Sequence, residues 1–171
     1  ISKNGVLFDK RLTILMQFPG GKDLDAYTVP DSVITIGDNA FFGCSNLISL
    51  TISGSVTSIE GGAFLDCTSL KSVVIGDSVT SIPEHAFRHC GSLTSVTIGN
   101  SVTSIGQSTF NGTGSLRSLT IPNSVIKFES AAFRRSGLTS VTIPDSVTSV
   151  GIAVFQDCTS LTSIELSSGN A

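Results

Sequence analysis

Apolar and polar positions along this chain keep a fixed rhythm. Taking the valine of each Ser-Val pair as origin gives Val33, Val56, Val79, Val102, Val125 and Val147, spaced by 23 residues and in the last step by 22. Three positions further on stand Ile36, Ile59, Ile82, Ile105, Phe128 and Val150, and eight positions on an unbroken column of Phe41, Phe64, Phe87, Phe110, Phe133 and Phe155. Each phenylalanine follows a short side chain: Ala40, Ala63, Ala86, Thr109, Ala132 or Val154. Then come Leu47, Leu70, Leu93, Leu116, Leu138 and Leu161, with two further apolar columns beginning at Leu50 and Ile52. The fifth unit is one residue short, between Ser136 and Leu138. A unit of this length cannot bury its apolar side alone, so the period implies coils stacked in one dimension, each completing its neighbour's core.

Within a unit the pattern L-x-x-L-x-I-x-x-S-V-x-x-I-x-x-x-A-F-x-x-C fits the leucine-rich-repeat template, with Ser in the usual Asn or Cys slot. Its first part alternates β-branched and hydroxyl residues and predicts a short strand, paired in parallel with the same segment of the next unit. The Ala-Phe part predicts one helical turn or a 3₁₀ segment. Turn chemistry separates the two at Gly76-Asp77, Gly99-Asn100, Pro122-Asn123 and Pro144-Asp145. The expected fold is therefore an α/β solenoid of six leucine-rich repeats over residues 31–171, one continuous domain with a parallel β-sheet on its concave side. The stack would be roughly 30 Å long at the usual strand spacing and right-handed by the crossover rule.

Residues 1–30 break the period. Asn4-Gly5 precedes one apolar run and Asp9 to Arg11 separates two, a hairpin signal expected to cap the open end of the core. No equivalent device follows the last unit, whose apolar edge is expected to be open, making end-to-end self-association plausible. The polar ending Ser167 to Ala171, directly after an apolar stripe, reads as the mark of a chain cut from a longer protein.

Composition narrows the function classes. Of the 171 residues, 40% are hydrophobic and only 13% charged, with a net charge of -3, so the chain offers no basic field for nucleic acid or anionic lipid. No apolar run is long enough for membrane insertion, and the sequence given lacks a secretory signal. No P-loop, Rossmann fingerprint or G-x-S-x-G elbow occurs, so neither a cofactor nor an enzymatic activity is expected. His85 and His89 share a spacing that can bind zinc, yet solvent-facing polar residues around the buried Ala86 and Phe87 explain them equally well. Lys127, Arg134 and Arg135 form a small basic spot. Cys44, Cys67, Cys90 and Cys158 occupy one repeat position, with Thr113 and Ser136 in the same column. Neighbouring coils bring such positions within disulfide range, but three in a row cannot all pair, and the tolerance of Ser and Thr reads as a demand for small size.

The phrase S-V-T-S-I-G-x-x-A-F-x-x-C-x-S-L-T-S-V-T-I-P, running from Asp31 to Ser167, resembles the BspA-type leucine-rich repeats, and the leading segment from Gly5 to Val33 is similar to the hairpin that accompanies repeat blocks in such proteins. The resemblance implies a non-enzymatic adhesion module of a cell-surface or secreted protein, with extracellular matrix proteins, cell-surface proteins or glycans as partners. Phe128 and Val150 depart from the family's isoleucine.

The outward positions of the strands are the candidate binding face: Ser49, Thr51, Lys71, Ser72, Val74, Thr94, Ser95, Thr97, Arg117, Ser118, Thr120, Ser140, Thr142, Ser163 and Glu165. Short hydroxyls stiffen a strand and keep it wet, which alone accounts for them. The functional reading is a broad, shallow surface, with selectivity at the flanking Lys71 and Arg117. A passive spacer within a larger surface protein is the alternative. A flat threonine array of the ice-binding kind is a third reading, weakened by the Ser and Val that interrupt the Thr rank.

Overall fold

The computed structural model describes residues 1–167, so the polar ending lies outside the described residues except for Ser167. Strands β1 (Ser2–Lys3) and β2 (Val6–Phe8) pair antiparallel across Asn4 and Gly5, both at positive φ (51° and 82°), and β2 pairs antiparallel with β3 (Ile14–Gln17). The chain then passes through β4 (Ala26–Thr28) into the repeats. These contribute β5 (Thr35–Ile36), β6 (Ser49–Thr51), β7 (Ser58–Ile59), β8 (Ser72–Val74), β9 (Ser81–Ile82), β10 (Ser95–Thr97), β11 (Ser104–Ile105), β12 (Lys127–Phe128), β13 (Ser140–Ile143), β14 (Ser149–Val150) and β15 (Ser163–Leu166). The result is a β-solenoid of about seven turns with parallel sheets.

Like stacks on like. In the long-strand row Ser49 lies beside Ser72 and Ser72 beside Ser95, while Leu50, Val73 and Val96 follow one another one position on. In the short-strand row Ile36 pairs with Ile59, and Ile82, Ile105, Phe128 and Val150 stack in turn. One more coil precedes the repeats: β3 pairs in parallel with β5 and β4 with β6, so Leu15 and Tyr27 occupy the slots of Ile36 and Leu50. Residues 1–30 thus hold both an antiparallel hairpin and a coil that follows the repeat path without its sequence.

The phenylalanine column forms a continuous internal stack. Successive centroids from Phe64 through Phe87, Phe110 and Phe133 to Phe155 lie 5.0 to 5.5 Å apart with rings within 8° of parallel. Phe18 extends it through Phe41, 4.9 Å away. Offset stacking at this distance suits the ring quadrupole, and it follows from coils spaced like paired strands. Burying each ring contributes about 1.5–3 kcal/mol.

No helix occurs among the described residues, so the helical part of the expected α/β class is absent. The Ala-Phe segments are pairs of turns. The residue two before each phenylalanine has φ between 51° and 60° (Asn39, Gly62, His85, Ser108, Ala131, Ala153), and the residue two after it is again left-handed (Gly43, Asp66, His89, Gly112, Arg135, Asp157). A helix would return each N–H to its own chain four residues back. Here alternate N–H groups leave the coil: Gly62 donates to the Glu84 carbonyl at 2.9 Å, Phe64 to Ala86 at 2.9 Å and Asp66 to Arg88 at 3.0 Å. This ladder recurs from coil to coil and satisfies backbone groups that a helix would satisfy internally.

Both strand rows contain an interruption. In the short-strand row, Gly37, Glu60, Gly106, Glu129 and Gly151 each donate to a carbonyl of the preceding coil, and the equivalent residue of the third unit is Pro83, which has no N–H to give. The row is accordingly divided between β7 and β9. In the long-strand row, residues 118–121 carry no strand, leaving one sheet that ends at β10 and another of β13 and β15. That gap precedes the shortened unit, where Gly137 lies so close to the Gly114 carbonyl that a Cβ would overlap it.

Candidate functional site

Strand periodicity decides what the long-strand row offers to solvent. Leu50 and Val73 point inward and are buried, so the residues on either side of each point outward. All the outward positions expected from the sequence are exposed or half-buried, none buried. Their hydroxyls divide into two groups. Those of Ser49 and Ser72 bond to each other at 3.1 Å, and Thr94 donates to the Lys71 carbonyl at 3.1 Å, as Thr139 does to Arg117 and Thr162 to Thr139. Thr51, Ser95, Thr97, Ser118, Thr120, Ser140, Thr142 and Ser163 hold hydroxyls with no protein partner among the described residues. The flanking threonines and the Ser49–Ser72 pair therefore clamp coil to coil, whereas the other outward hydroxyls are left for water or a ligand.

The two flanking cations behave differently. Lys71 has no carboxylate within ion-pairing distance among the described residues and borders an open cleft of about 330 Å³ with Asp23, Asp25, Asn46 and Ser69. Sequence reasoning missed Asp23 and Asp25, because they sit in the aperiodic segment where no column marks an outward position. Arg117 instead turns onto the next coil and donates to the Gly137 carbonyl at 3.0 Å. It holds the shortened unit in place. Val74, 44% exposed, breaks the hydroxyl ranks, and Glu165 adds a negative charge to the last coil.

The ridge of turns carries both histidines, Arg134 and Arg135. His89 Nδ1 lies 3.0 Å from Asp66 Oδ1 on the preceding coil, while His85 Nδ1 lies 3.2 Å from the Gln107 carbonyl on the following one. The two imidazoles thus engage different coils. Among the described residues no group of three or more His, Cys, Asp or Glu could hold a metal ion. The basic spot is paired: Arg134 and Arg135 both reach Asp157, at 3.2 and 3.4 Å, and Lys127 meets Glu129 at 2.9 Å. These exposed pairs are worth at most about 1 kcal/mol each.

The thiols are structural donors. Cys67, Cys90 and Cys158 each donate to the carbonyl of a phenylalanine one coil back, at 3.0, 3.2 and 3.0 Å. The neighbouring Cys67 thiol, then burial, pushes the Cys44 pKa up, and Cys67 is pulled down by Cys44 but raised further by Cys90 and by burial. Neither thiol forms a thiolate readily, which removes the nucleophile that disulfide exchange needs.

Stacked coils, two parallel strand rows and a solvent-facing hydroxyl array define a leucine-rich-repeat β-solenoid. The model of the BspA type leucine rich repeat region matches residues 17–137 and 126–171 in 6 copies, and the chain belongs to that family. A leucine rich cell surface protein from Faecalibacterium prausnitzii is similar in structure, with a TM-score of 0.76 and 39% identity over 85% of this chain and 39% of the other. A leucine-rich repeat protein from Bacteroides ovatus gives 0.77 and 32% over 82% of this chain and 37% of the other. The leucine rich repeat protein of T. pallidum gives 0.83 and 31% over 89% and 73%. The chain thus spans less than two fifths of the length of the first two structures. No curated protein is similar enough to count as a match. No helix among the described residues is long and apolar enough to cross a membrane.

Proposed function

We propose that the long-strand row is a protein-binding face and that the chain is a non-enzymatic adhesion module of a cell-surface or secreted protein, with extracellular matrix or cell-surface proteins and glycans as its partners. The observation that carries this reading is the set of outward hydroxyls, from Thr51 to Ser163, that bond nothing among the described residues while the flanking threonines are committed to the neighbouring coil. Outside the gap at residues 118–121 both ranks are fixed by backbone pairing, so a ligand meets donors and acceptors already in place there and less freedom is lost on binding. The cell-surface description of the similar Faecalibacterium prausnitzii protein agrees with that setting. Affinity would come from many modest polar contacts spread over several coils, with Lys71 and its cleft at one margin supplying the charge.

The test is attachment of the immobilised chain to fibronectin, laminin, collagen and a glycan array. Thr97→Glu and Lys71→Glu should each weaken attachment to any positive ligand by about tenfold while shifting stability by less than about 0.5 kcal/mol, as surface changes do. Arg117→Glu is no such control, since its guanidinium holds Gly137 and its loss should lower stability as well. A chain that attaches to nothing in this set, with folding intact, would point to the passive spacer instead.

A further inference from the structure

The two strand rows end differently at the start of the solenoid. The row containing β3 continues outward through β2 and β1, whereas the row containing β6 stops at β4. One wall of the barrel-like coil is therefore two strands longer than the other. The difference leaves a cavity of about 420 Å³ between the hairpin and β4, floored by Val6 and Phe8, which are buried, and walled by Leu24 and Tyr27. Because β4 pairs only with β6 among the described residues, its other edge has no strand partner there and its outward backbone groups face this side of the molecule.

Two ammonium groups stand at the same cavity. Lys22 Nζ donates to the Asn4 carbonyl at 2.7 Å, which leaves its other protons uncommitted, and Lys3 makes no side-chain bond among the described residues. Neither has a carboxylate within ion-pairing distance among the described residues. Asp23 and Asp25, on either side of Leu24, line the separate cleft beside Lys71. Tyr27 packs its ring on Phe18 at 4.9 Å, and burial holds its phenol above the ordinary pKa, so the hydroxyl remains a donor.

We propose that this end cavity docks the C-terminal end of an extended peptide, which adds to the free edge of β4, seats an apolar side chain over Val6 and Phe8, and places its carboxylate between Lys3 and Lys22. The free strand edge favours a peptide over a fatty acid, because it supplies backbone donors and acceptors that a hydrocarbon tail cannot use. The cavity volume falls in the range of sites that enclose a few side chains. The site is independent of the hydroxyl face, which begins on the far side of β4.

The probes are acetyl-Val-Thr-Val-Phe with a free carboxylate and the same peptide as its C-terminal amide. Each is titrated into the 171-residue chain while the amide resonances of residues 3–8 and 26–28 are followed. The acid should bind about tenfold more tightly than the amide, as a charge-assisted contact allows. Lys3→Gln and Lys22→Gln should each erase most of that preference. Lys3→Gln keeps the result readable if Lys22→Gln loosens the hairpin turn, since the Lys3 side chain bonds nothing among the described residues and its backbone pairing with Val6 is kept. Lys71→Glu should leave the binding unchanged. Equal affinity for acid and amide, or no shifts at millimolar peptide, overturns the proposal. So does octanoate moving the same amides where the peptide does not, which would make the cavity a lipid-acid site.

Discussion

The left-handed residues of the turn ridge set the finest balance in this chain. An L-residue at φ near 55° costs about 1–2 kcal/mol, which glycine avoids. Gly62, Gly43 and Gly112 meet that demand in some coils, but Ala131 (φ 57°) and Ala153 (φ 59°) do not, and alanine has no side-chain group to bond back to its own backbone. Ala131→Gly should therefore stabilise the protein by about 1 kcal/mol, the left-handed penalty less the freedom glycine gains when unfolded. Its neighbour Ala132 is fully buried and lacks positive φ, so Ala132→Gly should destabilise by a similar amount. Opposite signs at adjacent alanines, read by urea denaturation, check the assignment. The sequence made the inward residues legible, because burial repeats as apolarity, but the φ column was hidden. Asn39, Gly62, His85, Ser108, Ala131 and Ala153 share a backbone conformation and no side-chain chemistry, and reading them as helical was the natural error.

At the scale of elements, the hairpin depends on one carboxylate. Asp9 accepts from the Thr13 and Ile14 N–H groups at 2.7 and 3.0 Å, from Arg11 N–H at 3.3 Å and from the Thr13 hydroxyl at 3.1 Å, closing the turn between β2 and β3. The Ile14 N–H above all, with those of Thr13 and Arg11, holds its pKa below the ordinary 3.8 despite a smaller opposing effect of burial. A carboxyl whose folded pKa is depressed contributes stability that is present above its unfolded value and is lost as pH falls through the folded one. The melting temperatures of the native chain and of Asp9→Ala should differ at pH 6 and converge as pH falls below the ordinary 3.8 and through the lowered folded value, where both carry an uncharged group. A difference independent of pH would assign the effect to packing instead. Which elements interrupt the rows was half legible. Pro83 lacks the N–H that its column supplies elsewhere, a mark of the break between β7 and β9 that the apolar pattern alone does not single out, whereas the missing residue between Ser136 and Leu138 gives no sign of the gap at residues 118–121 that precedes it. The candidate face was legible as alternating hydroxyls, yet its division into clamped and free groups was not. That division depends on which carbonyl lies opposite, a property of the neighbouring coil.

On the scale of the whole molecule, stability should behave as a chain of nearest-neighbour interfaces, since each coil touches only the coils before and after it. The phenylalanine column measures that coupling position by position. Phe87 is fully buried and stacked on both sides, at 5.0 Å from Phe64 and 5.5 Å from Phe110. Among the described residues Phe155 has a ring on one side only, Phe133 at 5.5 Å, and is partly buried in a last described coil whose Val150, Ile152, Ile164 and Leu166 are 52% to 82% exposed. Phe87→Ala removes two interfaces' worth of contact from the middle of the stack and should cost about 4 kcal/mol. Phe155→Ala should cost about 1–2 kcal/mol, scaled to its partial burial. The two should also differ in character. Loss of Phe87 should lower the protection of amides in all coils from hydrogen exchange, because the stack is divided, whereas loss of Phe155 should release only the amides of β14 and β15. If both variants weakened the amides of β6 and β8 equally, the solenoid would be a single all-or-none unit, and coupling between coils would exceed what contact with one neighbour can provide.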